Sequence, residues 1–431
     1  MIYYSTNKQA EKVNFREATI KGLAPDKGLY FPEQIPQLPK MFFDKLKSMS
    51  KAEIAFNVIR PYVGDCIAGE DLFTICKETI DFDFPLKQVS ENIFSLELYH
   101  GPTLAFKDVG ARFMSRCLGY FSKDNKQKIV VLVATSGDTG SAVANGFLGV
   151  DGVEVVILYP SGKVSKIQEL QLTTLGQNIK TLEVQGTFDD CQAMVKQTFM
   201  DNELNEKLFL TSANSINIAR WLPQQFYYFY ALQQWSFAEA PVVCVPSGNF
   251  GNICAGLMAH ISGLQVEHFI AACNSNHVFT NYLESGLFTP ATVTPTISNA
   301  MDVGNPSNFV RILEQFQHSH SNITKLISSL SVDDKTTMQT ISGVFQKYNY
   351  LLDPHGAVAY HALEQYLFVH QNKKGIMLET AHPVKFDEIV NKATGLSIEI
   401  PASVKHLLKL KKVSTLIKPA FNELKDFLLS F

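Results

Sequence analysis

The sequence predicts an α/β protein whose two lobes each contain a parallel β-sheet. A chain of 431 residues exceeds the length at which one hydrophobic core keeps growing, so two or three domains are expected. Beyond about residue 95, apolar segments that suit buried strands alternate with helical segments. This alternation is typical of βαβ units with right-handed crossovers, and open sheets of this kind bind ligands at the carboxyl ends of their strands.

The first 95 residues show a different pattern, in which short helical segments are joined by loops that contain proline. Residues 52–59 have helical spacing and are predicted to form a helix that ends before Pro61, and a second helix is expected to begin at Asp71. We therefore predict three domains. They are a mainly helical accessory domain over residues 1–95, a first α/β lobe over 96–235, and a second α/β lobe over 236–431 that ends in helices.

The elements of the two lobes follow from apolar runs and from helical periodicity. In the first lobe, strands are predicted at residues 129–133, 153–158 and 179–184, and helices at 166–175 and 189–199. In the second lobe, strands are predicted at residues 242–245, 266–272 and 376–378. No internal repeat or low-complexity linker interrupts this order.

The balance of charges and the cysteines argue against several classes of protein. With 38 basic and 41 acidic residues, the chain gives no electrostatic reason to expect a nucleic acid or a membrane as partner. The seven cysteines lack the paired spacing of a zinc site, so we predict reduced thiols and no metal. Residues 1–7 do not resemble a secretory leader, and no apolar run is long enough to span a bilayer. We expect a cytoplasmic monomer or homodimer that acts on a small molecule.

Lys107 is the first candidate for chemistry. It lies between an apolar run and a predicted helix, with Phe106 before it and Val109 after it. Desolvation in such surroundings lowers the pKa of a lysine, and a neutral amine is a nucleophile toward carbonyl groups. Lys107 is therefore a candidate Schiff-base lysine. The alternative is a lysine whose stem packs on a helix while its ammonium group stays in water, and the local sequence alone favours that alternative.

Two strand-loop-helix units are the second signal. The loops at residues 135–140 and 247–252 each follow a predicted strand and precede a predicted helix. Glycine allows a tight turn and close approach, and the backbone N–H groups at the start of a helix attract an anion of phosphate size. Many such turns contain glycine without any ligand, and Ser136, Asp138 or Thr139 could simply cap a helix.

Five sequence motifs resemble those of a known protein family and occur in the same order along the chain. They are HGPTLAFKDVGAR at 100–112, ATSGDTGSA at 134–142, SGNFGN at 247–252, SNAMDVGNPSNF at 298–309 and TAHPVKF at 380–386. With residues 4–7 and 22–26, they resemble the threonine synthases, fold-type II enzymes that use pyridoxal 5'-phosphate. The resemblance implies a tryptophan synthase β-like fold with the cofactor between two lobes. It also implies conversion of O-phospho-L-homoserine and water to L-threonine and phosphate.

The resemblance assigns roles toward the cofactor residue by residue. Lys107 matches the lysine that bonds to the cofactor aldehyde and then moves protons on the substrate. Thr380 matches the hydroxyl that faces the pyridine nitrogen, although the adjacent Glu379 leaves open which side chain points inward. The family's phosphate cup, which uses backbone amides, is matched by Gly248, Asn249, Phe250, Gly251 and Asn252.

The substrate-binding residues are predicted in two groups. The loop that holds the substrate carboxylate is matched by Thr135, Ser136, Asp138 and Thr139. Some relatives in fold-type II have asparagine in place of Asp138, near the ring hydroxyl, and the protonation state of Asp138 stays open. For the substrate phosphate, the candidates are Lys163, Ser165, Ser215, Asn217 and Arg220, although basic residues at such positions commonly face solvent. The histidines His100, His355 and His382 are predicted to serve loop geometry.

Two alternatives remain open from the sequence. A related phospho-lyase, or a hydroxy-amino-acid dehydratase, would use the same lysine and phosphate cup but release 2-oxobutanoate. A non-catalytic homologue that binds a metabolite is the second alternative. The intact Lys107 argues against that homologue, because a binding protein has no need of a Schiff-base amine.

Overall fold

The computed structural model describes residues 1–123 and 129–430 and contains three sheets. A six-stranded sheet has the order β12-β11-β10-β13-β5-β4, and a five-stranded sheet has the order β14-β8-β7-β6-β9. All neighbours in the five-stranded sheet are parallel, and in the six-stranded sheet only β4 and β5 are antiparallel among the described strands. The predicted α/β class with two parallel-sheet lobes is confirmed.

The N-terminal region combines a small antiparallel sheet with helices. The sheet has the order β2-β1-β3 and was not predicted from the sequence. The elements are β1 (Ile2–Ser5), β2 (Val13–Asn14), α1 (Phe15–Lys21), β3 (Tyr30–Pro32), α2 (Lys40–Lys45), α3 (Lys51–Val63) and α4 (Gly69–Thr79).

Helix α3 continues through Pro61, so the prediction that it ends before this proline is wrong. Proline lacks the N–H group that would bond to the preceding turn, which usually ends a helix. Here Tyr62 and Val63 are almost fully buried on the same side as Val58 and Ile59. The burial of these apolar side chains outweighs one missing hydrogen bond. The helix ends instead at Gly64, whose φ of 60° favours glycine.

The first lobe follows the predicted alternation closely. Strand β8 has the predicted bounds, and β7 runs two residues further than predicted, to Pro160. The elements from residue 86 onward are β4 (Leu86–Gln88), β5 (Ile93–Glu97), α5 (Lys107–Ser122), β6 (Ile129–Ala134), α6 (Asp138–Phe147), β7 (Val153–Pro160), α7 (Lys166–Thr173), β8 (Ile179–Val184), α8 (Phe188–Thr198), α9 (Asn202–Lys207), β9 (Phe209–Ser212), α10 (Ile218–Trp221) and α11 (Phe226–Gln234).

The second lobe is built around three strands, at residues 242–246, 268–273 and 375–379, whose residues are almost all buried. Its elements are β10 (Val242–Pro246), α12 (Gly251–Ile261), β11 (His268–Cys273), α13 (Val278–Ser285), α14 (Phe309–Gln315), α15 (His320–Leu326), β12 (Ile327–Ser331), α16 (Asp334–Tyr348), α17 (Pro354–Val369), β13 (Gly375–Glu379), α18 (Asp387–Thr394), α19 (Ala402–Lys405), β14 (Thr415–Ile417) and α20 (Phe421–Leu429). A 3₁₀ helix, Pro383–Phe386, connects β13 to α18.

Two strands join sheets that lie far from them in the sequence. Strand β5 pairs in parallel with β13 of the second lobe, and Glu97 lies opposite Glu379. Strand β14, near the C-terminus, pairs in parallel with β8 of the first lobe. The chain therefore crosses between the two sheets more often than a division at residues 95 and 235 describes. In the described part of the chain, no helix is long and apolar enough to cross a membrane.

Candidate active site

A cavity of about 780 Å³ lies where the carboxyl ends of strands from both sheets meet. Its walls include residues that follow β6 and β10, together with Thr380 after β13. The first residues of α5, α6 and α12 also line it. The parallel sheets thus direct three helix N-termini and three strand ends toward one volume, as expected for ligand sites in open α/β sheets.

Lys107 is the first residue of α5, and the backbone around it is firmly held. Phe106 N donates to Thr380 O at 2.9 Å, and Tyr227 Oη donates to Phe106 O. The Lys107 side chain is 17% exposed and lines the cavity. Burial lowers the pKa of Lys107, and although Asp138 opposes this effect, the charges of Lys385 and Arg220 reinforce it. The amine is therefore shifted toward its neutral, nucleophilic form.

Asp138 is the anion of this cluster. Its Oδ2 accepts from Lys107 Nζ at 3.4 Å, and its Oδ1 accepts from Lys385 Nζ at 2.7 Å and from Gln168 Nε2 at 2.9 Å. Burial by itself would raise the pKa of Asp138, but the charges of Lys385 and Lys107 outweigh burial and hold this pKa well below its usual range. Asp138 is thus ionised, which answers the question that the sequence left open.

The loop that contains Asp138 is closed by its own hydrogen bonds. Thr135 Oγ1 accepts from Gly137 N at 2.9 Å and from Gly140 N at 2.8 Å. At Gly137, φ is 137°, and a Cβ atom would lie only 2.5 Å from the Gln168 side chain, so this position requires glycine. Thr135, Ser136 and Thr139 all line the cavity. The structure therefore brings the whole predicted carboxylate loop to the site.

The predicted phosphate cup, residues 248–252, forms a narrow cradle at the start of α12. A Cβ atom on Gly248 would lie 2.5 Å from Met301 Cα, and Phe250 has a left-handed φ of 60°. Asn249 fixes the cradle because its Nδ2 donates to Ser215 Oγ at 2.9 Å and its Oδ1 accepts from Ser307 N at 2.6 Å. The first N–H groups of a helix have no partner within the helix. The cradle therefore offers main-chain donors to an anion of phosphate size.

Two residues of the cavity wall carry buried donors that lack a partner among the described residues. These donors are Asn252 Nδ2, and Nε and Nη1 of Arg220. Arg220 is only 4% exposed, and burial lowers its pKa to about 10. A Cβ atom on Gly110 would lie 2.5 Å from Arg220 O, so this glycine allows Arg220 to pack against α5, one turn from Lys107. Burial of a guanidinium without hydrogen-bond partners costs free energy, and a bound anion would supply the missing acceptors.

Not every predicted substrate residue lines the cavity. Lys163, Ser215 and Arg220 do. Ser165 instead caps α7, where it accepts from Gln168 N, and Asn217 caps α10, where it accepts from Ala219 N. Neither Ser165 nor Asn217 is among the described residues that line the cavity. Both side chains act as helix caps here, which is the usual function of serine and asparagine at these positions.

The end of β13 shows which of two adjacent side chains faces the cavity. Thr380 lines it, whereas Glu379 is fully buried on the other side and its Oε1 accepts from Asp353 N at 2.7 Å. Burial raises the pKa of Glu379 well above its usual value, and the charge of Asp353 adds to this effect. Glu379 is therefore buried away from the site.

Sequence reasoning missed three residues of the site. Lys385 and Gln168 bind Asp138, and His355 lines the cavity. His355 Nδ1 is paired with Asp353, and its Nε2 accepts from Ala300 N at 3.2 Å, so it holds the segment around Met301 rather than only its own loop. The available signals were weak: a lysine inside the 380–386 motif, a glutamine three residues after a capping serine, and a histidine after Asp-Pro. His382, in contrast, serves loop geometry as predicted, since its Nδ1 accepts from Val384 N.

Comparisons with known proteins match the chain to one family over nearly its whole length. Residues 2–80 match the family model "Threonine synthase N terminus", 80–377 match "Pyridoxal-phosphate dependent enzyme", and 356–428 match "Threonine synthase, C-terminal". A threonine synthase from Haemophilus influenzae is 42% identical over 431 residues, with 100% of both chains covered.

Solved structures give the same result. The crystal structure of threonine synthase from Escherichia coli has a TM-score of 0.93 and 40% identity, with 100% of both chains covered. A PLP-bound threonine synthase from Brucella melitensis has a TM-score of 0.94 and 34% identity, covering 99% of this chain and 98% of its own.

Proposed function

The chain belongs to the threonine synthase family of pyridoxal-phosphate-dependent enzymes, and from this membership we propose which of its residues carry out the reaction. The enzyme converts O-phospho-L-homoserine and water to L-threonine and phosphate. One observation carries the proposal: the Lys107 amine, the Arg220 donors without a partner among the described residues, and the main-chain cradle at 248–252 line the same cavity. An amine and two anion sites are what a phosphorylated amino acid and a phosphorylated aldehyde cofactor require.

The residues present fit pyridoxal 5'-phosphate. The cradle formed by residues 248–252 would hold its phosphate, and Lys107 would bond to its aldehyde carbon. Thr380 would face the ring nitrogen, and because Glu379 points away, a neutral hydroxyl takes that place. When bound, the cofactor supplies an electron sink for the carbon atoms of the substrate.

The carboxylate of the substrate would bind to the loop at residues 135–139. Ser136 and Thr139 offer hydroxyl groups at the cavity wall, and α6 begins at the same place, where a helix N-terminus favours an anion. Asp138 itself repels a carboxylate, but its charge is already matched by Lys385. The loop can therefore bind an anion despite containing one.

The substrate phosphate would bind to Arg220, with Ser215 and Lys163 as further donors. Arg220 is nearly fully buried, whereas Lys163 is exposed. A guanidinium can donate two parallel hydrogen bonds to a phosphate, and such charge-assisted bonds are the strong ones. Occupation by phosphate would satisfy the two nitrogens of Arg220 that lack partners in the described structure.

Lys107 would move the protons of the reaction. After its release from the cofactor aldehyde, the Lys107 amine can accept the proton of the substrate Cα and pass it to the phosphate group that leaves from Cγ. It can then accept the proton of Cβ and return it to Cγ before water adds at Cβ. The proton that water loses can pass through the same nitrogen to Cα. Closure of the cavity around the substrate would keep bulk water out until the phosphate has left.

The product identifies the reaction. We expect the purified enzyme with O-phosphohomoserine to give threonine and phosphate in equal amounts by NMR. Release of 2-oxobutanoate would favour the lyase or dehydratase alternative, and no turnover would favour a binding homologue. Lys107→Ala should remove both turnover and the absorbance band of the lysine-bound cofactor, and retained turnover would contradict the role of Lys107.

The remaining parts of the proposal concern the domain boundaries, the cellular location and the oligomeric state. We propose the division into residues 1–95, 96–235 and 236–431, and a cytoplasmic monomer or homodimer. All seven cysteines are free and six of them are buried, which suits a reducing compartment. Light scattering of the purified enzyme would measure the oligomeric state.

A further inference from the structure

Lys385 lies in the 3₁₀ helix Pro383–Phe386 of the second lobe, and its side chain is fully buried. Its Nζ donates to Asp138 Oδ1 at 2.7 Å and to Thr103 O at 2.8 Å. Asp138 begins α6 in the first lobe, and Thr103 precedes the catalytic lysine by four residues. One ammonium group therefore connects the second lobe to two segments of the site.

The two oxygens of Asp138 are not equally bound. Oδ1 accepts from Lys385 at 2.7 Å and from Gln168 at 2.9 Å, whereas Oδ2 accepts from Lys107 at the longer distance of 3.4 Å. Electrostatic attraction falls with distance, so the closer ion pair is the stronger one. The negative charge of Asp138 is thus matched mainly by Lys385 rather than by Lys107.

The other charged groups near Lys107 also disfavour a proton on its amine. Arg220 adds a second positive charge on the side of α10. Asp108, the next residue of α5, turns toward Thr103, whose N–H and hydroxyl donate to its two carboxylate oxygens. Lys107 therefore faces one anion that is already paired, together with two cations. Such an environment disfavours a third positive charge.

We propose that Lys385 is a positioning residue, which holds the Asp138 carboxylate as its own ion-pair partner and thereby leaves the Lys107 amine free to react as a neutral nucleophile. This inference rests on the proposed function of Lys107. It adds that the second lobe controls the reactive amine of the first through one buried ammonium group. Without Lys385, the carboxylate would pair with Lys107 and keep a proton on its nitrogen.

The test measures how strongly Lys107 binds a proton. The full-length chain, freed of cofactor by dialysis, is labelled with a trace of acetic anhydride at pH 7–10, and mass spectrometry gives the acetylated fraction of Lys107. In Lys385→Met we expect this fraction at pH 8 to fall about tenfold, which corresponds to a tenfold higher proton affinity. Lys385→Arg, which keeps the charge, should restore labelling to within about twofold of the wild type. The control Lys392→Met changes an exposed lysine of α18 and should label like the wild type.

A second pair of variants covers the case in which Lys385→Met does not fold, because it leaves Asp138 buried without its partner. Asp138→Asn and the double variant Asp138→Asn/Lys385→Met contain no such anion, so Lys107 should be labelled to within about twofold of the same extent in both. Unchanged labelling of Lys107 in Lys385→Met, or labelling about tenfold lower in the double variant than in Asp138→Asn, would overturn the inference, because Lys385 would then act without Asp138. Failure of the proposed function looks different, since Lys107→Ala would then keep its turnover.

Discussion

The two glycine loops of the cavity have the same topology and opposite character. The loop at 247–252 is uncharged, and it is held by Asn249, Ser307 and the close approach of Met301 to Gly248. The loop at 135–140 contains Asp138, which is bound by two lysines and a glutamine. Main-chain donors suffice where an anion is only held, whereas side-chain charges are needed where protons must move. Under the proposed function, the neutral loop would hold the cofactor phosphate, and the charged loop would lie beside the amine that moves the protons.

The largest effect on activity is expected from replacing Lys107, which lies beside the charged loop at 135–140. Lys107→Ala removes the nucleophile and the proton carrier, so kcat for threonine formation should fall by at least about a thousandfold. Threonine release is measured by NMR or a coupled assay, and circular dichroism checks the fold. Lys77→Ala, an exposed lysine of α4, is the control. A fall of less than tenfold would show that another group moves the protons.

Arg220→Met should have the next largest effect. Loss of the proposed phosphate ligand should lower kcat/KM by about a hundredfold, since buried charge-assisted hydrogen bonds are lost. The free energy of unfolding without ligands should stay equal or rise by about 1 kcal/mol, because a buried charge is removed. Kinetics and urea unfolding measure the two quantities.

The matched control for Arg220 is Arg116→Met, which changes an arginine on α5 that binds Glu78 at the surface. This control should leave kcat/KM unchanged. If Arg220→Met lost stability and kept its kcat/KM, Arg220 would be a structural residue and the substrate phosphate would bind elsewhere.

Gly248→Ala tests the neutral loop. The new methyl group would lie 2.5 Å from Met301 Cα, so the cradle must widen, and the Kd for the cofactor should rise about tenfold to a hundredfold. Absorbance or fluorescence titration of the cofactor-free chain measures this Kd. Gly343→Ala is the control, because a methyl group there meets no other atom and should only favour α16. An unchanged Kd in Gly248→Ala would place the cofactor phosphate outside this loop.

The smallest expected effect is on the pH dependence of stability, and it involves His382, in the segment that contains Lys385. Burial lowers the pKa of His382 to about 4 in the folded state, compared with about 6.5 when unfolded. Between these values the unfolded chain binds the proton and the folded chain does not, so stability is full above pH 6.5 and falls as pH drops toward 4. His382→Gln should reduce the loss of unfolding free energy between pH 7 and 5 by about 2 kcal/mol.

Urea unfolding at the two pH values measures this difference, with His277→Gln as an exposed control. The same loss of free energy in wild type and His382→Gln would show that His382 is not the titrating group. His268, whose pKa burial also lowers to about 4, contributes equally to both proteins and cancels in the comparison.

The elements predicted most accurately from the sequence are strands β6 and β8. Strand β6 is an apolar run buried throughout, and β8 buries four of its six residues, so both leave a clear local signal. The sheet formed by β1, β2 and β3 was missed, since strands of two to four residues show too little periodicity. Pro61 misled the prediction because the burial that keeps α3 intact depends on tertiary packing.

The residues of the site show the same contrast between local sequence signals and tertiary packing. The two loops and Lys107 lie in continuous motifs, and the sequence was enough to predict them. Lys385 and His355 act on segments far away in the chain, Asp138 and Ala300 respectively, and such contacts exist only once the lobes have packed. Ser165 directly precedes the helix predicted from residue 166, so the sequence already favoured a capping role for it, and Asn217 precedes α10 in the same way.

The exchange of strands between the sheets has a consequence for synthesis on the ribosome. Strand β5 emerges early, but its partner β13 is translated almost three hundred residues later. Strand β14 completes the edge of the first sheet only after residue 417 has left the exit tunnel. Neither sheet can therefore be completed until late in translation. A nascent chain that stalls before residue 415 leaves the edge of β8 unpaired, and an unpaired edge strand promotes aggregation.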